Sequence, residues 1–281
     1  MFNSTFRAFS NEAQFTKELL GIGVTQLYKA NYSKKGIYYQ SFTCLSTGIE
    51  RMEKLCLLLD YYILNNATLP QENYIRKHGH NIFDLFKSCS EIAESQNVNF
   101  RFFCDLSDDI HKSVLQILSD FAQSSGRYSN INILVGKNQE QDCMSQWYTN
   151  VDLKIYDKHI SKSKKQGIDD RANYIGQMMQ NFVVVQHATE NNTELTDPIE
   201  ASKRTGIWEA VAPYRQLYML QIIRFLTQVL VSLGHKAMSL NPEDIPYFSE
   251  IFALFYNDNA YFKSRKTWDN VMVKQFCNTT V

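Results

Sequence analysis

The densest group of acid–base side chains in this sequence is Arg76-Lys77-His78-Gly79-His80. Histidine exchanges protons near neutral pH and arginine holds phosphate through a planar fork, so the combination suits phosphate binding or metal-free phosphodiester chemistry. His78 and His80 are two positions apart, which sends them to different sides of a helix unless Gly79 bends the backbone. One metal ion shared by both is not expected, and no metal or cofactor is assigned. The plainer reading has His80 capping the next helix, with Arg76 and Lys77 solvated.

A second group, Arg127-Tyr128-Ser129-Asn130, follows a helix end. Arg127 would bind a phosphate, Tyr128 would stack on a base, and Asn130 or Asn132 would orient the ligand, with Arg76 as a further binding residue. If the two groups converge, His78 or His80 removes a 2′-hydroxyl proton while Arg127 stabilises the charge growing on phosphorus. The plainer alternative is Arg127 ion-paired to another helix and Tyr128 closing the core. Two cationic segments carry weaker signals: Lys158-His159-Ile160-Ser161-Lys162-Ser163-Lys164-Lys165 at a helix end, and Phe262-Lys263-Ser264-Arg265-Lys266-Thr267-Trp268, which mixes cations with aromatics. Either suits RNA, and either is equally the chemistry of a solvated helix end. His235, after Gly234, reads as a cap.

The elements that must position these residues are helices. Apolar residues recur at three- and four-residue steps through residues 36 to 66 (Phe42, Leu45, Ile49, Met52, Leu55, Cys56, Leu59, Tyr62), with Glu50, Arg51, Glu53 and Lys54 on other faces. A preceding helix over residues 12 to 32 carries Phe15, Leu19, Ile22 and Leu27 on one face, and Gly21 and Gly23 either loosen it or admit a close neighbour. The short break at Ser33-Lys34-Lys35-Gly36 predicts an antiparallel hairpin. Pro70 opens a short helix that Gly79 interrupts; Ser107 caps a helix running to Gly126; residues 127 to 136 form a loop or short strand. Later helices are expected around 140 to 161 and 168 to 187, then from Pro198 toward Pro213, from Pro213 to a stop at Gly234, and after Asn241-Pro242. The polar stretch after Gly136 divides the chain into regions 1–136 and 137–281.

Composition agrees with a globular all-α chain. Twenty-nine Lys and Arg balance twenty-nine Asp and Glu, 44% of residues are hydrophobic, and 11 Gly with 5 Pro are too few for the turns of a β-sandwich. Zero net charge removes any whole-molecule pull on nucleic acid and leaves only local patches. The six cysteines form no Cys-x-x-Cys pair and read as reduced core residues. The N-terminus lacks the apolar run of a signal peptide, and the apolar window at 218 to 233 is broken by Gln221, Arg224 and Gln228, so a cytoplasmic protein without a membrane partner is expected. No phosphate-binding loop, dinucleotide fingerprint, nucleophile elbow or His-Glu-x-x-His helix is present, which removes the usual support for nucleotide hydrolases, dinucleotide enzymes, α/β hydrolases and zinc proteases.

The hairpin carrying Ser46-Thr47-Gly48-Ile49-Glu50-Arg51-Met52-Glu53-Lys54-Leu55, the segment His78-Gly79-His80-Asn81-Ile82-Phe83-Asp84-Leu85-Phe86, and a closing helix reaching Arg127-Tyr128 together resemble the HEPN superfamily over residues 8 to 135. The resemblance implies a four- or five-helix bundle, dimerisation and, in active members, metal-independent ribonuclease activity in bacterial defence or toxin systems. Those members carry an arginine and a histidine at a short set interval. Here Arg76 and His80 are one residue too close, Arg101 and His111 are too far apart, and Arg127 meets Asn132 at that interval. The resemblance therefore implies a non-catalytic homodimeric HEPN-like bundle, followed by a second helical region, that binds RNA or a partner protein in prokaryotic defence or stress response. The alternative is a divergent metal-independent endoribonuclease using Arg127 with His78 or His80.

Overall fold

The computed structural model describes residues 3–103, 105–123, 127–136, 142–179 and 186–269. The fold is all-α. Helix α1 (Ser4–Lys29) starts where the Asn3 side chain accepts the Phe6 N–H, and it pairs with α2 (Lys35–Leu64) across a short 3₁₀ turn, Tyr32–Lys34. The pair is close-packed: a Cβ on Gly23 would lie 2.6 Å from the Leu45 side chain, and one on Gly48 2.8 Å from Leu20. Gly23 thus serves approach rather than looseness. The buried stripe of α1 contains Phe9, Ala13, Thr16, Leu20, Val24 and Leu27, whereas Phe15 and Ile22 are exposed. Small residues share the contact with Phe9, Leu20, Val24 and Leu27, so Phe15 and Ile22 taken alone point to the wrong side of this helix.

Three helices complete the N-terminal half: α3 (Asn73–Lys77), α4 (Ile82–Ser95) and α5 (Asp109–Ala122). Asn81 caps α4, and Asp108 rather than Ser107 caps α5 by accepting the Ile110 N–H at 3.0 Å. Residues 129 to 134 form helix α6 (Ser129–Leu134), correcting the loop or strand expected there. The boundary proposed near 137 falls in 137–141, outside the described residues. Beyond it come α7 (Cys143–Trp147), a π-helical turn (Tyr148–Asp152), α8 (Leu153–His159) and α9 (Lys162–Met179). A two-residue antiparallel pair follows, β1 (His187–Ala188) with β2 (Glu194–Leu195), between the helix expected to reach 187 and the one from Pro198.

Helix α10 (Pro198–Leu240) is a single element of 43 residues, about 65 Å long at 1.5 Å per residue. It runs through Pro213 and Gly234, both expected to interrupt it. Gly234 is required for packing: a Cβ there would lie 2.7 Å from the Phe248 ring. His235 consequently sits inside the helix, exposed, and caps nothing. By length and composition α10 could cross a membrane, but 89% of its apolar window is buried within the fold, as in a core helix. Helices of both halves share one apolar core, from Phe9 and Phe42 through Trp147 to Leu226 and Trp268. The expected last helix is instead three short turns, α11 (Phe248–Ile251), a 3₁₀ turn (Ala253–Phe255) and α12 (Asn259–Ser264), which bury Phe248, Phe255 and Phe262. Among the described cysteines, Cys56, Cys89 and Cys143 are buried thiols and Cys44 is partly exposed.

Inside the core lies one ionic lock. Arg215 of α10 donates from Nε to Asp152 Oδ1 at 2.6 Å, from Nη2 to Asp152 Oδ2, from Nη1 to the Ala30 carbonyl at 2.6 Å and from Nη2 to Tyr38 Oη at 3.0 Å. Trp147 Nε1 adds a third bond to Asp152 at 3.1 Å. Burial raises the Asp152 carboxyl to about 6 against the pull of Arg215. Burial also acts to lower Arg215, but Asp152 and Tyr38 outweigh it and hold the guanidinium above its ordinary value. This lock fixes the π turn, and hence α8, against α10.

Candidate functional site

Gly79 adopts φ +67°, the left-handed bend that links α3 to α4. The bend separates the two histidines. His80 turns to solvent and meets Glu50 of α2, with Nδ1 2.8 Å from Oε1, where Lys54 also binds at 2.7 Å. Burial raises the Glu50 carboxyl, but Lys54 and His80 together hold it below its ordinary value. His78 instead packs edge-on against Tyr74, their ring centroids 5.0 Å apart, and Arg76 pairs with Glu72 one turn back at 3.0 Å.

The Arg127 group follows α5 in the chain. Its guanidinium lies 5.9 Å from the centre of the Phe121 ring, Tyr128 and Asn130 are exposed, and Asn132 of α6 is half-buried. The last turn of α5 reaches the start of α4, because Ser119 Oγ donates to Asn81 Oδ1 at 2.7 Å. Phe121 packs on Tyr39 and Phe42, however, while His80 sits at Glu50, so the anchor points are about 12 Å apart along α2. Among the described residues no hydrogen bond, ion pair or ring contact joins Arg127 to either histidine.

A second acid–base cluster, absent from the sequence reading, forms where α8 ends against α10 and the start of α5. His159 Nε2 is 2.8 Å from Tyr218 Oη, and that hydroxyl donates to Asp108 Oδ2 at 3.0 Å. Since the Tyr218 proton is used toward Asp108, His159 Nε2 must be the donor, which leaves His159 Nδ1 as the bare nitrogen. Lys158 also binds Asp108 Oδ2. Burial acts to raise Asp108, but the Lys158, Ile110 and Tyr218 hydrogen bonds bring it down to about 2. Burial and the charges of Lys158 and Lys263 push His159 below its ordinary value, so it is neutral at pH 7. His111 packs on Tyr218 at 4.7 Å between ring centroids and meets Gln221 Oε1 at 2.8 Å, which leaves its buried Nδ1 without a hydrogen-bond partner. Burial lowers its pKa as well.

The same corner gathers the two cationic segments. His159 stacks on Tyr214 with centroids 4.6 Å apart and planes 15° apart, and Lys263 Nζ stands 5.6 Å from the centre of that tyrosine ring. Lys162 and Lys164 begin α9 beside them, and Lys165 lies over Tyr156 at 4.6 Å while pairing with Asp157. Residues about one hundred positions apart in the chain thus make one cationic, aromatic surface. Composition around each segment was visible in the sequence; their convergence was not. Among the described residues no group of three or more His, Cys, Asp or Glu could hold a metal ion.

Comparison with protein-family models, curated proteins and solved structures finds no match to this chain in any of the three.

Proposed function

We propose that this chain is a non-catalytic, HEPN-like cytoplasmic protein that binds single-stranded RNA in prokaryotic defence or stress response. The observation that carries the RNA reading is the meeting of His159 and Lys263 around Tyr214, close to the lysines that begin α9. Cations flanking aromatic rings are the chemistry that holds a phosphate backbone beside unstacked bases, and neutral net charge confines binding to such a patch. In fluorescence anisotropy at low salt, Lys162→Glu with Lys263→Glu should weaken binding of a labelled single-stranded RNA about tenfold or more and flatten its salt dependence. Absence of RNA binding by the unaltered chain, or unchanged affinity in the double variant, removes this reading.

Homodimerisation belongs to the same proposal. Tyr128, Ile131, Leu134 and Val135 are exposed together around α6, with Leu134 at 85%, an apolar surface that a second copy would cover. Light scattering should give twice the 32.7 kDa chain mass, and Leu134→Glu should return it to one. A concentration-independent monomer would contradict it.

A second reading, metal-independent RNA cleavage, is favoured by the His159–Tyr218–Asp108 chain. There the bare Nδ1 of neutral His159 would take the 2′-hydroxyl proton and Lys263 would face the phosphate. The version built on Arg127 with His78 or His80 draws on the shared end of α4 and α5. Cleavage in EDTA that is lost in His159→Ala, or in His80→Ala, would select between them; intact RNA favours the binding protein.

A further inference from the structure

A groove of about 470 Å³ separates α9 from α10, lined by Ser161, Lys164, Arg171, Ser202, Thr205 and Glu209 among others. We propose that it takes the terminal phosphate monoester of a bound RNA strand, an assignment that rests on the RNA reading above. Lys164 and Arg171 are seven residues apart and so share one face of α9. The neighbouring cations are neutralised: Lys158 by Asp108, Lys165 by Asp157, Lys203 by Asp169 and Arg204 by Glu190. Lys164 and Arg171 have no ion-pair partner among the described residues, and both face this groove. Ser161 Oγ accepts the Lys164 N–H at 3.2 Å and keeps its own proton to donate.

Shape selects an end rather than the middle of a strand. The two helices touch along the floor of the groove, where a Cβ on Gly206 would lie 2.7 Å from Ile168, and they close beyond its end, where one on Gly176 would lie 2.0 Å from Ile199. At the other end Ser161 and Ser163 line the groove, two and four residues after His159 of the cationic surface, and Glu209 lines it from α10. The Glu209 carboxylate interrupts the positive track at that point and can accept a sugar hydroxyl or a base amino group. A strand entering past Ser161 from the His159 end stops there, with its last phosphate between Lys164 and Arg171. A terminal monoester carries close to two negative charges against one for an internal diester, which matches two unpaired cations, one of them a bidentate fork.

The test compares one short single-stranded RNA sequence carrying a 5′-phosphate, a 3′-phosphate or hydroxyls at both ends. One phosphorylated form should bind about tenfold tighter than the dihydroxyl form, and which one it is assigns the strand direction. Lys164→Ala and Arg171→Ala, both at exposed positions, should each erase that preference, and Arg171→Ala, outside the surface assigned to RNA binding above, should leave dihydroxyl RNA affinity nearly unchanged. Equal binding of all three RNAs, or a preference that survives both substitutions, overturns the terminal-phosphate site while leaving the RNA reading in place. No binding of any of the three overturns both.

Discussion

Asp152→Ala should cost about 3–5 kcal/mol of folding stability, the largest loss expected from any single substitution outside the apolar core. Asp152 and Arg215 are each 1% exposed. The guanidinium cannot give up its proton, so removal of the carboxylate leaves a buried charge with only the Ala30 carbonyl and the Tyr38 hydroxyl as acceptors. Trp147 Nε1 loses its acceptor at the same time. Arg215→Met combined with Asp152→Leu removes the charges together and should cost much less than Asp152→Ala alone, because neither charge is then stranded. Urea denaturation of the three proteins measures the difference. A loss below about 1 kcal/mol for Asp152→Ala would mean that water or a rearranged partner reaches Arg215.

Glu53→Met should stabilise the protein by about 1–3 kcal/mol, with a gain that grows with pH. Glu53 is fully buried in α2, and neither carboxyl oxygen has a hydrogen-bond partner. Burial, reinforced by Cys89 and Glu50 and opposed by Lys54, pushes its pKa well above the ordinary 4.5, so the folded protein holds this proton to higher pH than the unfolded chain does. The unfolded chain releases it near 4.5. Above that value the folded state binds more protons than the unfolded state, and stability falls as pH rises until the folded pKa is passed. Below 4.5 both states are protonated and this contribution is complete. Denaturation of the wild type and Glu53→Met at pH 5 and pH 8 should therefore show a larger advantage for the variant at pH 8. An advantage that is equal at both values, or a destabilised variant, would show that Glu53 ionises freely or fills its site in a way methionine cannot.

Glu53 also marks a limit of periodicity as a guide. Phe42, Leu45, Ile49, Met52, Cys56, Leu59 and Tyr62 identify α2 and its main buried stripe from sequence, and all seven are in the core. Charge places Glu53 on an outer face, yet α1, α4, α5 and α10 all pack against α2 and leave little of it for solvent. Local signals at Pro213 and Gly234 fail for a related reason. Each carries a helix-breaking cost of about 1–3 kcal/mol, and α10 recovers more than that by burying Ile222, Leu226, Val229 and Leu230 among surrounding helices.

The helical class, the α1–α2 hairpin, the bend at Gly79 and the chemical character of each cationic segment are legible in the amino-acid order, because these depend on residues within one or two turns of each other. Tertiary structure decided which of those segments meet. His159 and Lys263 reach the same tyrosine only because the Arg215–Asp152 lock sets α8 against α10 and because Phe262 and Trp268 anchor the C-terminal turns in the core. Arg127 lies by Phe121 and His80 by Glu50, and among the described residues no contact joins them. Such placements follow from packing of side chains far apart in the chain, for which local spacing carries no information.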